Sequence, residues 1–244
     1  MNPFAAASSR VTAFACVAAT LLASPFSVGA GEEYHGDFVA GALKYSRDLA
    51  AQHHLVAHVS ITTPEGKALK FQYDQYPEVE RIKVDDELAF AKKRGGKWIM
   101  SNDWGKTGKN LDAEEALDYD TLASFVHAPL NSVTEVRDAS QGGTFMRLLN
   151  HSHEDGRERF VFEKSREQPK SDHVYPCFLF ERYKNSEIAQ PLLSGFKGPL
   201  YTGDRILMVS ISYEYRVAQA GRSRVRLVEA SREMTAPLSL IASR

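Results

Sequence analysis

The chain has 244 residues, of which 43% are hydrophobic and 25% charged, and its formal net charge is −1. Those proportions belong to a globular protein and exclude a fibre or a disordered tail. The near balance of charge argues against a general nucleic-acid binder, which needs a surplus of basic residues.

Residues 1–30 carry one charge, Arg10, followed by an almost unbroken apolar run from Ala13 to Ala23 and then the small residues Ser27-Val28-Gly29-Ala30. That is the layout of a signal peptide, with cleavage expected after Ala30. The protein is therefore expected in the periplasm or secreted, with residues 31–244 as a single antiparallel β domain with helices. The apolar run is shorter than the ~20 residues a membrane-crossing helix requires, so no transmembrane span is expected after cleavage. Ala13-Phe14-Ala15-Cys16 offers an alternative, a lipoprotein processing site, although the leucine such a site carries three residues before its cysteine is replaced by Ala13. After cleavage Cys177 is alone, so the fold must be held by its core rather than by an internal disulfide.

From Tyr34 to Gln52 the positions Phe38, Ala42, Tyr45 and Leu49 recur at spacings of four, three and four, predicting an amphipathic helix. Leu55, Ala57, Val59 and Ile61 then alternate with polar or smaller neighbours, as in a strand with one buried face. Pro64-Glu65-Gly66-Lys67 turns the chain into a second strand carrying Leu69, Phe71 and Tyr73. Turns at Asp85-Asp86 and Arg94-Gly95-Gly96-Lys97 continue the pattern, so residues 55–101 read as an antiparallel meander of about five strands. Asp112 and Glu115 form a capping box, with Leu111 as its hydrophobic staple, for a second helix running to Pro129. Strands return from Thr144 to Leu149 and from Arg159 to Lys164, around the turn His153-Glu154-Asp155-Gly156, and again from Val174 to Tyr183. Gly195, Gly198, Pro199 and Gly203 predict a loop before a long strand through Leu207, Val209, Ile211, Tyr213 and Tyr215, and Arg224 to Val228 completes a last hairpin. The fold class is α+β, mainly antiparallel β: a curved sheet or half-barrel of about ten strands with two helices on one face.

Residues able to carry chemistry are few. His151, His153 and Asp155 are a candidate metal set, but they fall in a predicted polar turn and no third His or Cys stands at ligand spacing. His53, His54 and His58 form a second cluster, with His58 on the polar face of a strand. Gly105-Lys106-Thr107-Gly108-Lys109 resembles the end of a phosphate loop, yet Met100 replaces the glycine a Walker motif requires. Cys177 alternates with Tyr175 and Leu179 inside a strand, as an inert thiol does. Asp85/Asp86 and Asp118/Asp120 read as turn and solvated-helix residues rather than as acid–base pairs. Lys92, Lys93, Arg94 and Lys97 crowd one hairpin tip and Arg222, Arg224 and Arg226 share one strand face, as edge protection or as a site for anionic head groups.

An exported chain that opens with an amphipathic helix and continues into an antiparallel meander resembles the Lol-type periplasmic lipoprotein carriers. The run Tyr76-Pro77-Glu78-Val79-Glu80-Arg81-Ile82-Lys83-Val84-Asp85-Asp86-Glu87-Leu88-Ala89-Phe90, closing on Gly96-Lys97-Trp98, is similar to their polar turn leading into a short aromatic strand. The resemblance is architectural, covers about residues 34–130, and transfers no family residue. It implies a half-open barrel whose apolar concave face, lidded by helices, holds acyl chains. The expectation is a non-catalytic binding or carrier protein for an apolar small molecule or lipid, or for a lipidated protein, with Val59, Phe71, Phe90, Trp98 and Ile211 lining the ligand face and no cofactor or metal. Two rivals stand beside it: a metal-dependent secreted hydrolase, and a structural or interaction module working with envelope proteins.

Overall fold

Helix α1 (Gly36–Gln52) begins where Val39 N–H bonds the carbonyl of His35 and ends where His53 turns extended. Its buried stripe is Val39, Ala42, Leu43, Ser46 and Ala50, one position round from the expected face. Tyr45 and Leu49 lie at the margin of that stripe, and Phe38 is 38% exposed. Phe38 leaves the stripe to meet a row of rings, with centroids 5.1 Å from Phe160 and 5.5 Å from Phe162. Side-chain partners, and not helical period alone, set its direction.

The structure is a computed structural model that describes residues 35–84, 88–133, 144–166, 174–184, 188, 190–202 and 205–216. The proposed signal peptide, Cys16, the Asp85-Asp86 turn and the strand bearing Arg222, Arg224 and Arg226 lie outside those residues. After α1 come β1 (His54–Thr62), β2 (Ala68–Tyr76), β3 (Val79–Lys83), β4 (Ala89–Lys93), β5 (Trp98–Met100) and β6 (Lys109–Asn110). Helix α2 (Ala113–Asn131) precedes β7 (Thr144–Glu154), β8 (Arg157–Arg166), β9 (Cys177–Tyr183), β10 (Leu192–Thr202) and β11 (Arg205–Arg216). All eleven strands join one antiparallel sheet in the order β6-β5-β4-β3-β2-β1-β11-β10-β9-β8-β7. The chain starts in the middle of the sheet and walks to one edge. It re-enters at the opposite edge and walks back, so that β11 pairs with β1.

Alternation along the strands divides the two faces. Leu55, Ala57, Val59 and Ile61 of β1 stand beside Tyr73 and Phe71 of β2 and beside Tyr215, Tyr213, Ile211 and Val209 of β11, and all belong to one buried core. Both helices cover this inner face. The capping box of α2 forms as read, Asp112 accepting from Glu115 N–H and Glu115 accepting from Asp112 N–H. The helix passes through Pro129 to Asn131. Pro129 lacks the N–H that would bond Phe125, and one residue on, the Val126 carbonyl receives the buried Tyr213 hydroxyl at 2.8 Å.

Two expectations are corrected. The stretch through Gly195, Gly198 and Pro199 is strand β10, not a loop. A Cβ on Gly198 would lie 2.7 Å from Pro176 Cα, so this glycine admits a neighbouring backbone. Pro199 is tolerated because the β9 ladder ends at Cys177 opposite Lys197, leaving β10 bonded from there on to β11. The turn between β7 and β8 is also tighter than expected. Only Asp155 and Gly156 connect the strands, at φ of 49° and 73°, the left-handed pair a two-residue hairpin needs, and His151 and His153 lie in β7.

Substituting Gly198→Ala is expected to destabilise the protein by about 1–3 kcal/mol through overpacking on Pro176. Gly41→Ala, in α1 with nothing within 4 Å of the added carbon, should stabilise it by up to about 1 kcal/mol. Urea denaturation of the two variants beside the wild type checks both signs.

Candidate functional site on the covered face of the sheet

Val59, Phe71, Phe90, Trp98 and Ile211 are all buried, none more than 5% exposed, and all belong to the core under the helices. Val59 sits between Phe71 and Ile211 across the central ladder. Phe90 and Trp98 lie further out, on β4 and β5, where Tyr119 of α2 stacks on Phe90 at 4.0 Å and approaches Trp98 at 6.0 Å. Alternation assigned these side chains to one face. Their cover comes from tertiary packing.

Beneath α2 a line of polar groups crosses this apolar surface. Asp120, half exposed, accepts hydrogen bonds from Lys92 Nζ at 2.6 Å and from the indole of Trp98 at 2.8 Å, and the lysine contact above all holds its carboxyl below the ordinary range. Asp118, its neighbour in sequence, is solvent-facing. Lys92 also faces Glu80, whose carboxyl is pushed up by burial. Glu80 is in turn a hydrogen-bond partner of Tyr73, and Tyr73 Oη lies 2.9 Å from His127 Nε2. Every member is satisfied when neutral His127 donates from Nε2 to Oη and the phenol donates onward to Glu80. Burial lowers the His127 pKa and raises that of Tyr73, which keeps both uncharged at neutral pH. Glu80 also lines a cleft of about 230 Å3 with Ala51, Tyr76, Val79 and Arg94, at the β2–β3 turn.

The second helix-docking point lies across the sheet. A bulge between Leu193 and Gly195 interrupts the β9–β10 ladder. The N–H of Leu193 donates to Ser46 Oγ at 2.8 Å, and its carbonyl accepts from Tyr215 Oη at 3.1 Å. Ser46 completes the pattern by donating to the Ala42 carbonyl within α1 at 2.7 Å. The bulge thus becomes the socket for α1.

The other sequence candidates fall elsewhere. Thr107 N–H and Oγ1 in the Gly105–Lys109 segment donate to Asp103, and those bonds hold the Asp103 carboxyl down to about 2. Gly105 N–H donates to Ser101 Oγ. The backbone N–H groups of Gly105, Lys106 and Thr107 are thus already engaged within the loop. Burial pushes the Cys177 thiol up to about 11, so it is protonated at neutral pH. His54 stacks on Tyr76 at 3.9 Å with Nε2 3.2 Å from Asp74 Oδ1, on the outer face, and His58 is exposed. His151 and His153 meet a partner that sequence reasoning missed. Glu158 Oε1 lies 3.0 Å from His151 Nε2 and 3.1 Å from His153 Nε2, and Asp155 is outside the group. Only the β7–β8 register, with His153 opposite Glu158, brings that carboxylate there.

No family model and no curated protein matches the chain. Solved structures similar to it include a LolA superfamily protein from Nitrosomonas europaea, at 10% identity over 71% of this chain and 90% of that one, with a TM-score of 0.27. A DUF1329 family protein from Desulfovibrio piger matches at 8% identity over 74% and 92%, TM-score 0.23. An outer membrane lipoprotein-sorting protein domain from Vibrio parahaemolyticus matches at 10% identity over 76% and 95%, TM-score 0.22. Among the described residues no helix is long and apolar enough to cross a membrane.

The lowered pKa of His127 carries a pH signature. The unfolded chain takes up a proton on this imidazole below about pH 6.5, which the folded chain refuses until lower pH, so stability is lost as pH falls through that window. Chemical denaturation between pH 7 and 5 is expected to show a smaller acid loss in His127→Gln than in the wild type. The difference reaches at most about 1.4 kcal/mol per pH unit. Equal slopes would mean that the ring takes up its proton over the same pH range in the folded and unfolded chains.

Proposed function

We propose that the protein is an exported, non-catalytic carrier that takes an apolar chain, from a lipid or a lipidated protein, onto the inner face of its sheet in the periplasm. One observation carries the reading. The apolar surface over β4 and β5 is covered by the N-terminal half of α2, and that half is attached at few points. No residue from 113 to 122 is buried, whereas Ala123, Phe125, Val126, Pro129 and Leu130 anchor the rest of the helix.

Magnitudes support a cover that opens. A stacked aromatic pair such as Tyr119 on Phe90 is worth about 0.5–1.5 kcal/mol beyond its area. The Lys92–Asp120 pair is well solvated on the Asp120 side, and exposed pairs contribute at most about 1 kcal/mol. The indole hydrogen bond adds on the order of 1 kcal/mol. Lifting this half of α2 therefore costs a few kcal/mol in these contacts, and wetting Phe90 and Trp98 adds about 1.5–3 kcal/mol each, a cost that an acyl chain taking the place of the helix would return. It uncovers Phe90 and Trp98 first, next to Phe71, Val59 and Ile211. The C-terminal half stays docked through Tyr213 and Val126.

A fluorescent fatty-acid probe tests the reading. The wild type is expected to bind it in the micromolar range, and Asp120→Asn to bind about fivefold more tightly, because weakening the latch raises the competent population. Phe90→Glu should abolish binding while circular dichroism confirms the strands. If neither the wild type nor Asp120→Asn binds the probe, the carrier reading falls and an envelope interaction module takes its place.

A further inference from the structure

We propose that His151, His153 and Glu158 form a divalent transition-metal site, suited first to zinc, on the β7–β8 ribbon. The backbone places the three side chains without strain. His151 and His153 are two residues apart on β7 and share a face. Across the ladder His153 opposes Glu158, and His151 opposes Phe160. That face is the one on which Phe160 meets Phe38 of α1, so the group sits at the rim of the helix-bearing side. The ring of His151 stacks on Phe160 at 4.5 Å and 11°, which fixes its plane.

The ligand atoms converge. Both imidazole Nε2 atoms approach the same carboxylate oxygen, Glu158 Oε1, and the three atoms lie within 4.8 Å of one another. Bonds of about 2.0–2.1 Å in a tetrahedral zinc site place neighbouring ligand atoms about 3.3–3.4 Å apart. The two nitrogen–oxygen separations need to open by only a few tenths of an ångström. The imidazoles must close on each other, and the side chain of His153, 49% exposed, has room to turn toward the fixed ring of His151.

The carboxylate is oriented from behind. Arg182 of β9, opposite Glu158 in the ladder, donates to Glu158 Oε2 from Nε at 2.7 Å and also from Nη2. This leaves Oε1 aimed at the two histidines, the arrangement by which outer hydrogen bonds orient a metal-bound carboxylate. Two His and one Glu leave a fourth position toward solvent, the ligand count of an open zinc site. Arg182 already balances the carboxylate charge, so affinity is expected to be micromolar rather than nanomolar.

The test uses the mature chain and zinc alone. Calorimetry at neutral pH should show one equivalent of zinc bound, and the thermal midpoint should rise with added zinc, as ligand binding to the folded state requires. His151→Ala and His153→Gln should each weaken binding at least tenfold, and the double variant should lose both the binding and the thermal shift. His58→Ala, which removes an exposed histidine outside the group, should leave both unchanged. Cobalt should give the visible absorption of a tetrahedral site in the wild type and in His58→Ala, and not in the double variant. Absence of zinc binding by the wild type, or a double variant that binds as the wild type does, would overturn the proposal.

Discussion

The pairing of β1 with β11, the first and last strands among the described residues, holds this molecule together. β1 and β11 lie side by side from His54 opposite Arg216 to Thr62 opposite Met208. On one side of that seam stand strands that follow β1, and on the other strands that precede β11. Each half is a meander with hydrogen bonds to its own neighbours, but neither can cover its apolar face alone. The tyrosines of β11 show why the seam matters. Tyr213 and Tyr215 pack in the core while their hydroxyls bond Val126 on α2 and Leu193 on β10. One strand therefore ties the sheet to a helix and to the bulge that seats the other helix.

The two helices cover the sheet by different means. α1 presents a stripe of small and aliphatic residues and one hydroxyl, Ser46, whose partner is a backbone N–H freed by a bulge. That contact is buried and fully matched, so it is rigid. α2 is asymmetric. Its C-terminal half is embedded, and its N-terminal half rests on a ring stack and a partly solvated ion pair. The line from His127 through Tyr73 and Glu80 to Lys92 and Asp120 runs beneath it. Buried polar groups there are matched only while the helix is in place, which gives the cover a defined seat without a large apolar contact.

What could be read from the residues depended on the range of the interaction. Alternation from Leu55 to Met100 yielded five strands because each pairs with the next across a short turn, and the Asp112–Glu115 capping box was legible because its bonds span three residues. Gly195 and Gly198 misled for the opposite reason. Pro176, against which Gly198 packs, is distant in the chain, so the glycines carried only their usual turn meaning. The two histidines of β7 were assigned to a turn since a two-residue connection leaves little sequence to mark it, and the same displacement hid Glu158 behind Asp155. Tyr73 and His127 come from a strand and a helix whose meeting no local pattern encodes. The five apolar face residues were recognisable as a set, but nothing in a strand's period tells whether a helix or a guest will cover it.

The seam between β1 and β11 also has a cost in time. A chain made or exported from its N-terminus finishes β1 early and must hold its bare edge, with Leu55, Ala57, Val59 and Ile61 beside it, until nearly everything else has emerged. Contacts of such long sequence separation form slowly, and an unpaired apolar strand is the species that aggregates in the meantime. This topology therefore makes the docking of β11 on β1 the step on which folding waits.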